Sequence, residues 1–183
     1  MTANLPHLAT LRLDLRPPVA GDLEGLAAVM ADDEVRHFLG NRPVTLADEF
    51  ARVMRNAGSW ALYGYGTFMI RHAGSAAIIG VCGVFHSWRG FGRGLDDTPE
   101  AGWILARPEW GKGLASEAVG AALAWFDGAH GPRRIACMID PGNTASLALA
   151  ARHNFVRYGE HELDDGPVVL LERGAAKVSA PGD

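Results

Sequence analysis

Cysteine is scarce: the 183 residues contain only Cys82 and Cys137, each inside an apolar run (78–85 and 135–139). Neither belongs to a CxxC, and the seven histidines show no HxxxH or HExxH spacing. Two buried reduced thiols are therefore expected, and no metal site. Lysine is scarcer still in relation to its partner. Fifteen of the 17 basic residues are arginine, leaving Lys112 and Lys177. Basic residues do not outnumber acidic ones; the net charge is −4 and the pI about 6.0. That balance argues against a nucleic-acid partner held by bulk charge. No run approaches about 18 consecutive apolar residues, so no membrane span is expected. The first seven residues carry neither a basic stretch nor an apolar one, so no secretory signal is read and cytoplasm is the expected compartment. There is no internal repeat, and no GxxxxGK[ST]. Nor is there a GxGxxG followed about 20 positions later by an acidic residue, which sets aside P-loop and dinucleotide-binding chemistry.

What is present reads as one α/β domain over residues 8–174, with a C-terminal tail at 175–183. A composition of 48% hydrophobic and 21% charged residues is that of a globular chain. Leu11 to Arg16 alternates apolar and polar, as a half-buried strand does. Asp22 is placed to cap a helix carrying Leu23, Leu26, Ala27 and Met30, and a short helix is expected over 33–38. Thr45-Leu-Ala-Asp48 is a capping box opening a helix to about Ala57, with Phe50, Val53 and Met54 on its apolar face. Strands follow at 65–72 and 76–86, joined at Gly74, then an exposed Gly-rich loop over 87–99 and a strand over 100–106. A helix at 115–128, a buried strand at 134–139 and an Ala/Leu-rich helix at 144–153 come next. A hairpin around Asp164-Asp165-Gly166 closes the chain. The order is β-α-α-β-β-β-α-β-α-β-β, a mixed sheet with helices on both faces.

The chemistry sits in Glu100-Ala-Gly-Trp-Ile-Leu-Ala-Arg-Pro-Glu-Trp-Gly-Lys-Gly-Leu-Ala-Ser-Glu-Ala118, which runs strand, tight turn, helix. Gly111 and Gly113 let the backbone turn sharply and approach a bulky anion. The free N–H groups that open the helix then point at that anion, with the helix dipole adding attraction. Ser116 offers a hydroxyl and Lys112 a positive charge. A pyrophosphate fits such a site. Further on, Pro141-Gly-Asn143-Thr-Ala-Ser146 opens a helix ending at His153-Asn154-Phe155, where Asn154 can adopt a left-handed conformation.

Together these stretches resemble the GNAT superfamily of acyl-CoA N-acyltransferases, in particular the ribosomal-protein N-terminal alanine acetyltransferases. The specific parts are Trp110-Gly-Lys-Gly-Leu-Ala-Ser-Glu-Ala118 and Asn143-x-x-Ser146, and the resemblance covers nearly the whole chain. It implies a sheet that splays beyond the 100–106 strand, with acetyl-CoA as cosubstrate. Backbone groups of Ile104, Leu105 and Ala106 would pair with pantetheine. Trp110, Gly111, Lys112, Gly113, Ala115 and Ser116 would surround the pyrophosphate, and Asn143 and Ser146 would touch the pantetheine arm. The chain departs from the family at Pro108, where many members carry Gln or Arg, and at Asn154, where Gly is usual. Ala150 stands where several members place a Tyr general acid.

An amine attacking a thioester needs a neutral nitrogen, close placement, and a donor for the developing oxyanion. The N–H of Leu105 is the candidate donor. Glu100, the one carboxylate of the 100–106 strand, is the first candidate base, and His86 the second; a solvated strand-end charge and a surface histidine are the plainer readings. Glu117 reads as structural, facing neighbours on its own helix. Arg133 and Arg134 either meet a ribose phosphate or form a solvated pair. Trp88, in its Gly-rich loop, is the preferred acceptor-site aromatic among Trp60, Trp88, Trp103 and Trp110. The acceptor is an amine, either a peptide N-terminus or a small molecule, and a homodimer is left open. A non-catalytic acyl-CoA-binding module is the alternative, and turnover of acetyl-CoA with a panel of amines separates the two.

Overall fold

The computed structural model describes residues 5–40 and 43–174; the expected tail lies outside the described residues. Eight strands form one sheet in the order β1-β2-β3-β4-β5-β6-β8-β7. The strands are β1 (Leu8–Ala9), β2 (Leu13–Arg16), β3 (Thr67–His72), β4 (Ile78–Trp88), β5 (Asp96–Leu105), β6 (Ile135–Ile139), β7 (Val156–Leu163) and β8 (Gly166–Arg173). Only β5 and β6 run parallel; the rest of the sheet is antiparallel. Helices α1 (Leu23–Met30), α2 (Asp33–Arg36) and α3 (Leu46–Tyr63) precede β3. Helix α4 (Leu114–His130) connects β5 to β6, and α5 (Thr144–Arg152) connects β6 to β7.

Alternation along the strands decides which helices cover which face. Leu13, Leu15, Phe68, Ile70, Cys82, Val84, Ala101 and Leu105 join α4 and α5 in the main core, through Ala118, Ala122, Phe126 and Leu149. Met69 and Val81 point the other way and meet Leu26 of α1 and Val53 of α3. Both cysteines are free and buried within the main core, and burial pushes their thiols well above the ordinary range.

Three local expectations are corrected. Helix α3 keeps its capping box: Thr45 Oγ1 accepts the Asp48 N–H at 3.2 Å, and the Asp48 carboxylate accepts the Thr45 N–H at 2.8 Å. It runs on to Tyr63, however, and Phe50 and Met54 are about half exposed while Val53, Asn56 and Trp60 are buried. Polar anchors set that rotation. The Asn56 amide donates to Thr67 O (2.9 Å) and accepts the Thr67 N–H (2.7 Å), and Trp60 Nε1 donates to the same carbonyl (3.0 Å). The 87–99 loop is shorter than expected. Strand β4 extends to Trp88 and β5 begins at Asp96, whose carboxylate accepts the N–H groups of Gly90 and Gly92 (2.6 and 2.7 Å) and ties the turn.

Asp22 does not cap α1. Its buried carboxylate takes both Arg16 terminal nitrogens (2.6 and 2.5 Å) and the Val19 N–H (2.7 Å), fastening the end of β2 to the first helix. Burial works against its charge, but Arg16 and Val19 outweigh it and hold the carboxyl below its ordinary range. A depressed folded-state pKa contributes stability that is present above the unfolded value, near 4, and is lost as pH falls through the folded one. Asp22→Asn should therefore cost about 2 kcal/mol, read as a melting temperature lower by roughly 4–8 °C at pH 7. The gap between variant and parent should narrow in melts run toward pH 3; a gap independent of pH would mean the carboxylate's charge is not what the fold uses.

Candidate active site

Strands β5 and β6 share a single rung, Glu100 opposite Ala136, and then diverge. Beyond it lies a cleft of about 450 Å³. One wall is the turn and first residues of α4 (Trp110, Gly111, Gly113, Leu114, Ala115, Ser116). A second is α5 and its entry (Asn143, Ala145, Ser146, Leu149, Arg152). Helix α2 and the residues after it (Glu34, Val35, Phe38, Leu39) face them, with Trp103, Ile104 and Leu105 of β5 as the floor. Phe38 reaches across to the β6–α5 loop, so that a Cβ on Gly142 would stand 3.4 Å from its ring.

Hydrogen-bond alternation fixes which backbone groups face the gap. Ala106 donates its N–H to Ile79 O at 2.8 Å, so Leu105, opposite Gly80, turns its own groups away from β4 and toward β6. Trp103 does the same two residues earlier. Ile104 pairs with Val81 in β4, and the Ala106 carbonyl accepts the Glu109 N–H (2.9 Å). The expectation that Ile104 and Ala106 offer backbone groups to a ligand is therefore corrected: β4 and the following turn use them, and Trp103 takes that place beside Leu105. The Leu105 carbonyl already accepts Trp110 Nε1 at 2.9 Å, which leaves its N–H directed into the cleft.

At the mouth of the cleft, Gly111 and Gly113 have φ of +73° and +75°. Gly113 is the N-cap of α4 and provides no side-chain cap; the first helical bond is Glu117 N–H to Gly113 O at 3.1 Å. The N–H groups of Leu114, Ala115 and Ser116 thus open the helix without partners from it. A 17-residue helix with a bare N-terminus toward a cleft attracts an anion through its amides and its dipole. Lys112 does not add its charge there. Its Nζ sits 3.1 Å from Glu109, and it is not among the cleft's lining residues. Glu109 also receives His72 at 3.2 Å; burial opposes its ionisation, but the two donors hold the carboxyl below its usual range.

The turn is braced from the far edge of the sheet. Arg12 donates to the Lys112 carbonyl (2.9 Å) and to Glu117 (2.7 Å), and Glu117 also accepts from Thr10 (2.6 Å) and the Arg12 N–H (3.0 Å). Glu117 is structural, yet its partners lie in the turn between β1 and β2 and not on its own helix. On the other wall, Asn143 caps α5 by accepting the Ser146 N–H (3.0 Å), and Ser146 Oγ accepts Trp103 Nε1 (3.1 Å). Ser116 Oγ lies 3.3 Å from His153 Nε2. Burial lowers the His153 pKa, so the ring is neutral at pH 7.

The GNAT acetyltransferase domain model matches residues 12–156. The chain belongs to the GNAT acetyltransferase family. A protein of Bordetella pertussis assigned to the same family is 33% identical and superposes with a TM-score of 0.83, over 92% of this chain and 99% of that one. The N-acetyltransferase p20 of Bacillus licheniformis is 29% identical over 153 residues, 83% of each chain. At 17% identity only the fold is shared with RimL, a ribosomal L7/L12 alpha-N-protein acetyltransferase solved in complex with coenzyme A. The TM-score there is 0.74, over 93% of this chain and 98% of that one.

Within this GNAT domain the two expected bases lie off the cleft. Glu100 is 3% exposed, and both carboxylate oxygens are held by Arg89 (2.9 and 2.5 Å). It is a buried, paired anion at the rung where the splay begins, and the expectation of a free general base there is corrected. His86 borders a separate cavity, with Nδ1 2.9 Å from the Tyr65 hydroxyl, Nε2 3.0 Å from Asp97, and its ring stacked on Tyr63. Trp88 borders that same cavity; Trp103 and Trp110 are the tryptophans at the cleft. Trp60 packs in the core against Phe68 and Trp125. Arg133 bonds His130 O, and Arg134 bonds Glu172 and Gly94 O, so neither reaches the cleft. Ala150 is wholly buried, and α5 shows Leu149 and Arg152 to the cleft instead. Arg12, Phe38 and Arg152 are the residues that motif reading passed over; each lies outside the glycine turn and the Asn-x-x-Ser stretch.

Removing one member of the Arg89–Glu100 pair strands the other in a low-dielectric setting. Glu100→Gln should lower stability by about 1–3 kcal/mol. The double variant Glu100→Gln/Arg89→Met should recover part of that loss in thermal melts. Additive losses would show that the pairing itself contributes nothing.

Proposed function

We propose that the chain transfers an acetyl group from acetyl-CoA to a primary amine, either a peptide N-terminus or a small-molecule amine, by direct attack in a ternary complex. The observation that carries this reading is the uncapped start of α4, behind Gly111 and Gly113, opening on the gap between β5 and β6. The residues fit the cosubstrate. A Cβ at Gly111 would enter open space at the cleft's mouth, which is where a pyrophosphate would approach the amides of 114–116. Trp103 and Leu105 would pair with the pantetheine arm along the free edge of β5, beside Asn143 and Ser146. That RimL was solved with coenzyme A supports the assignment.

Acetyl-CoA supplies the activated acyl carbon and a thiolate leaving group of roughly cysteine-like acidity, near pKa 8.5. The protein supplies placement and a donor. The Leu105 N–H would face the carbonyl oxygen as negative charge develops on it. The amine would enter along the α2 wall, past Val35, Phe38 and Leu39. Its nitrogen forms the new bond to the acyl carbon, the C–S bond breaks, and the ammonium proton passes to solvent. Glu34, exposed on that wall and without a hydrogen-bonded or ionic partner for its carboxylate among the described residues, favours a positively charged approach.

Calorimetry with coenzyme A or acetyl-CoA, without added metal, should give micromolar or tighter binding. Gly113→Val should weaken it at least tenfold (~1.4 kcal/mol) in the folded fraction, because the side chain crowds the amides and strains a left-handed residue. Unchanged affinity would reduce the turn to a structural role. With no tyrosine among the described residues that line the cleft, kcat/KM should rise with pH to a plateau and not fall near pH 9–10. The midpoint should follow the acceptor: about 8 for an α-amine, higher for a lysine-like amine near 10.4. A midpoint that stays put when the acceptor changes would point to a titrating group on the protein.

A further inference from the structure

Coenzyme A carries a third phosphate, on the ribose, outside the pyrophosphate that the start of α4 would accept. The arginine pair first considered for it is committed elsewhere, and Lys112 is tied to Glu109. Among the described residues that line the cleft, one side chain is a cation: Arg152, in the last turn of α5. No hydrogen bond or ion pair to another described residue holds it. Its neighbour His153 lies 3.3 Å from Ser116 and would meet a Cβ on Gly120 at 3.3 Å, so the end of α5 abuts the first two turns of α4. Arg152 therefore lines the cleft from the end of α5, which adjoins the start of α4 through His153 and Ser116. Neither carboxylate at the cleft holds it: Glu109 is paired with His72 and Lys112, and Glu34, on α2, makes no ion pair with it.

We propose that Arg152 binds the ribose 3′-phosphate of coenzyme A. This rests on reading the cleft as an acyl-CoA site. A guanidinium suits the task because its fixed donors match a phosphate's oxygens two at a time. An arginine kept on the surface without a protein partner has no folding role to explain its place. The site would then have two parts: neutral amides for the pyrophosphate, and one formal charge for the terminal phosphate.

The test is calorimetry on the full chain and on Arg152→Gln, with coenzyme A and with 3′-dephospho-coenzyme A. The parent should bind coenzyme A about tenfold more tightly than the dephospho form. Arg152→Gln should bind both at the dephospho level, and Arg152→Lys should keep part of the preference. Melting temperatures of both variants should match the parent, as the side chain holds nothing in the fold. A preference that survives Arg152→Gln overturns the proposal. So does an equal loss for both ligands, which would assign Arg152 to the pyrophosphate. If the parent binds neither ligand, the reading of the cleft itself fails, a result distinct from either.

Discussion

Backbone amides and carbonyls inside a fold must find partners, and between β5 and β6 that requirement is met at one rung only. The two strands cannot simply close on each other. Strand β5 is paired with β4 along its whole length, and β6 is paired with β8 along its own, so each half of the sheet is fixed by its outer neighbour. Trp103 props the gap from within by reaching α5 through Ser146. The result is an edge of β5 held open between two rigid halves. Pre-organisation of this kind lowers the ordering cost of binding a long, flexible pantetheine chain.

The same economy of charge runs through the rest of the site. Lysine is nearly absent from the chain, and the one lysine in the glycine turn is spent on Glu109. An anion at the start of α4 would be met mainly by amide dipoles whose directions are set by Gly111, Gly113 and the Arg12 brace. Dipoles held by the backbone need no side-chain ordering on binding, and they do not titrate. Arg152, the one cation among the described residues lining the cleft, would act further out, where a flexible guanidinium can still reach solvent.

Much of this was legible in the sequence, because local rules act on adjacent residues. The capping box at Thr45 and Asp48, the paired glycines before α4, the Asn-x-x-Ser start of α5 and the Asp-Gly turn before β8 depend on neighbours a few positions apart. The illegible part depends on side-chain pairings that no local rule specifies, whether the partners are a few positions apart or about a hundred. Nothing near Glu100 announces that Arg89 will close on it, and Arg12 meets Lys112 and Glu117 across about a hundred positions. Asp22 looked like a cap because aspartate before an apolar run usually is one; Arg16 outbid the helix for it. Phe50 and Met54 matched helical spacing as well as Val53 did. Spacing fixes a face only up to a rotation, and here Asn56 and Trp60 chose the rotation by binding Thr67.

Those pairings also shape the catalytic argument. With Glu100 bound by Arg89 and His86 turned to another cavity, neither base candidate stands at the cleft. An amine with a pKa near 8 is already substantially neutral in mildly basic solution, so it needs little help to become a nucleophile. What it needs is to be held at the acyl carbon. Orientation alone can contribute as much as about 7–11 kcal/mol to such a reaction, and one well-aimed donor about 3–4 kcal/mol more. Both contributions would come from the opened edge of β5: its free groups would fix the thioester, and the Leu105 N–H would meet the oxyanion. On this account the backbone constraint that keeps β5 and β6 apart would also supply most of the catalysis, and side chains would serve chiefly to hold that geometry in place.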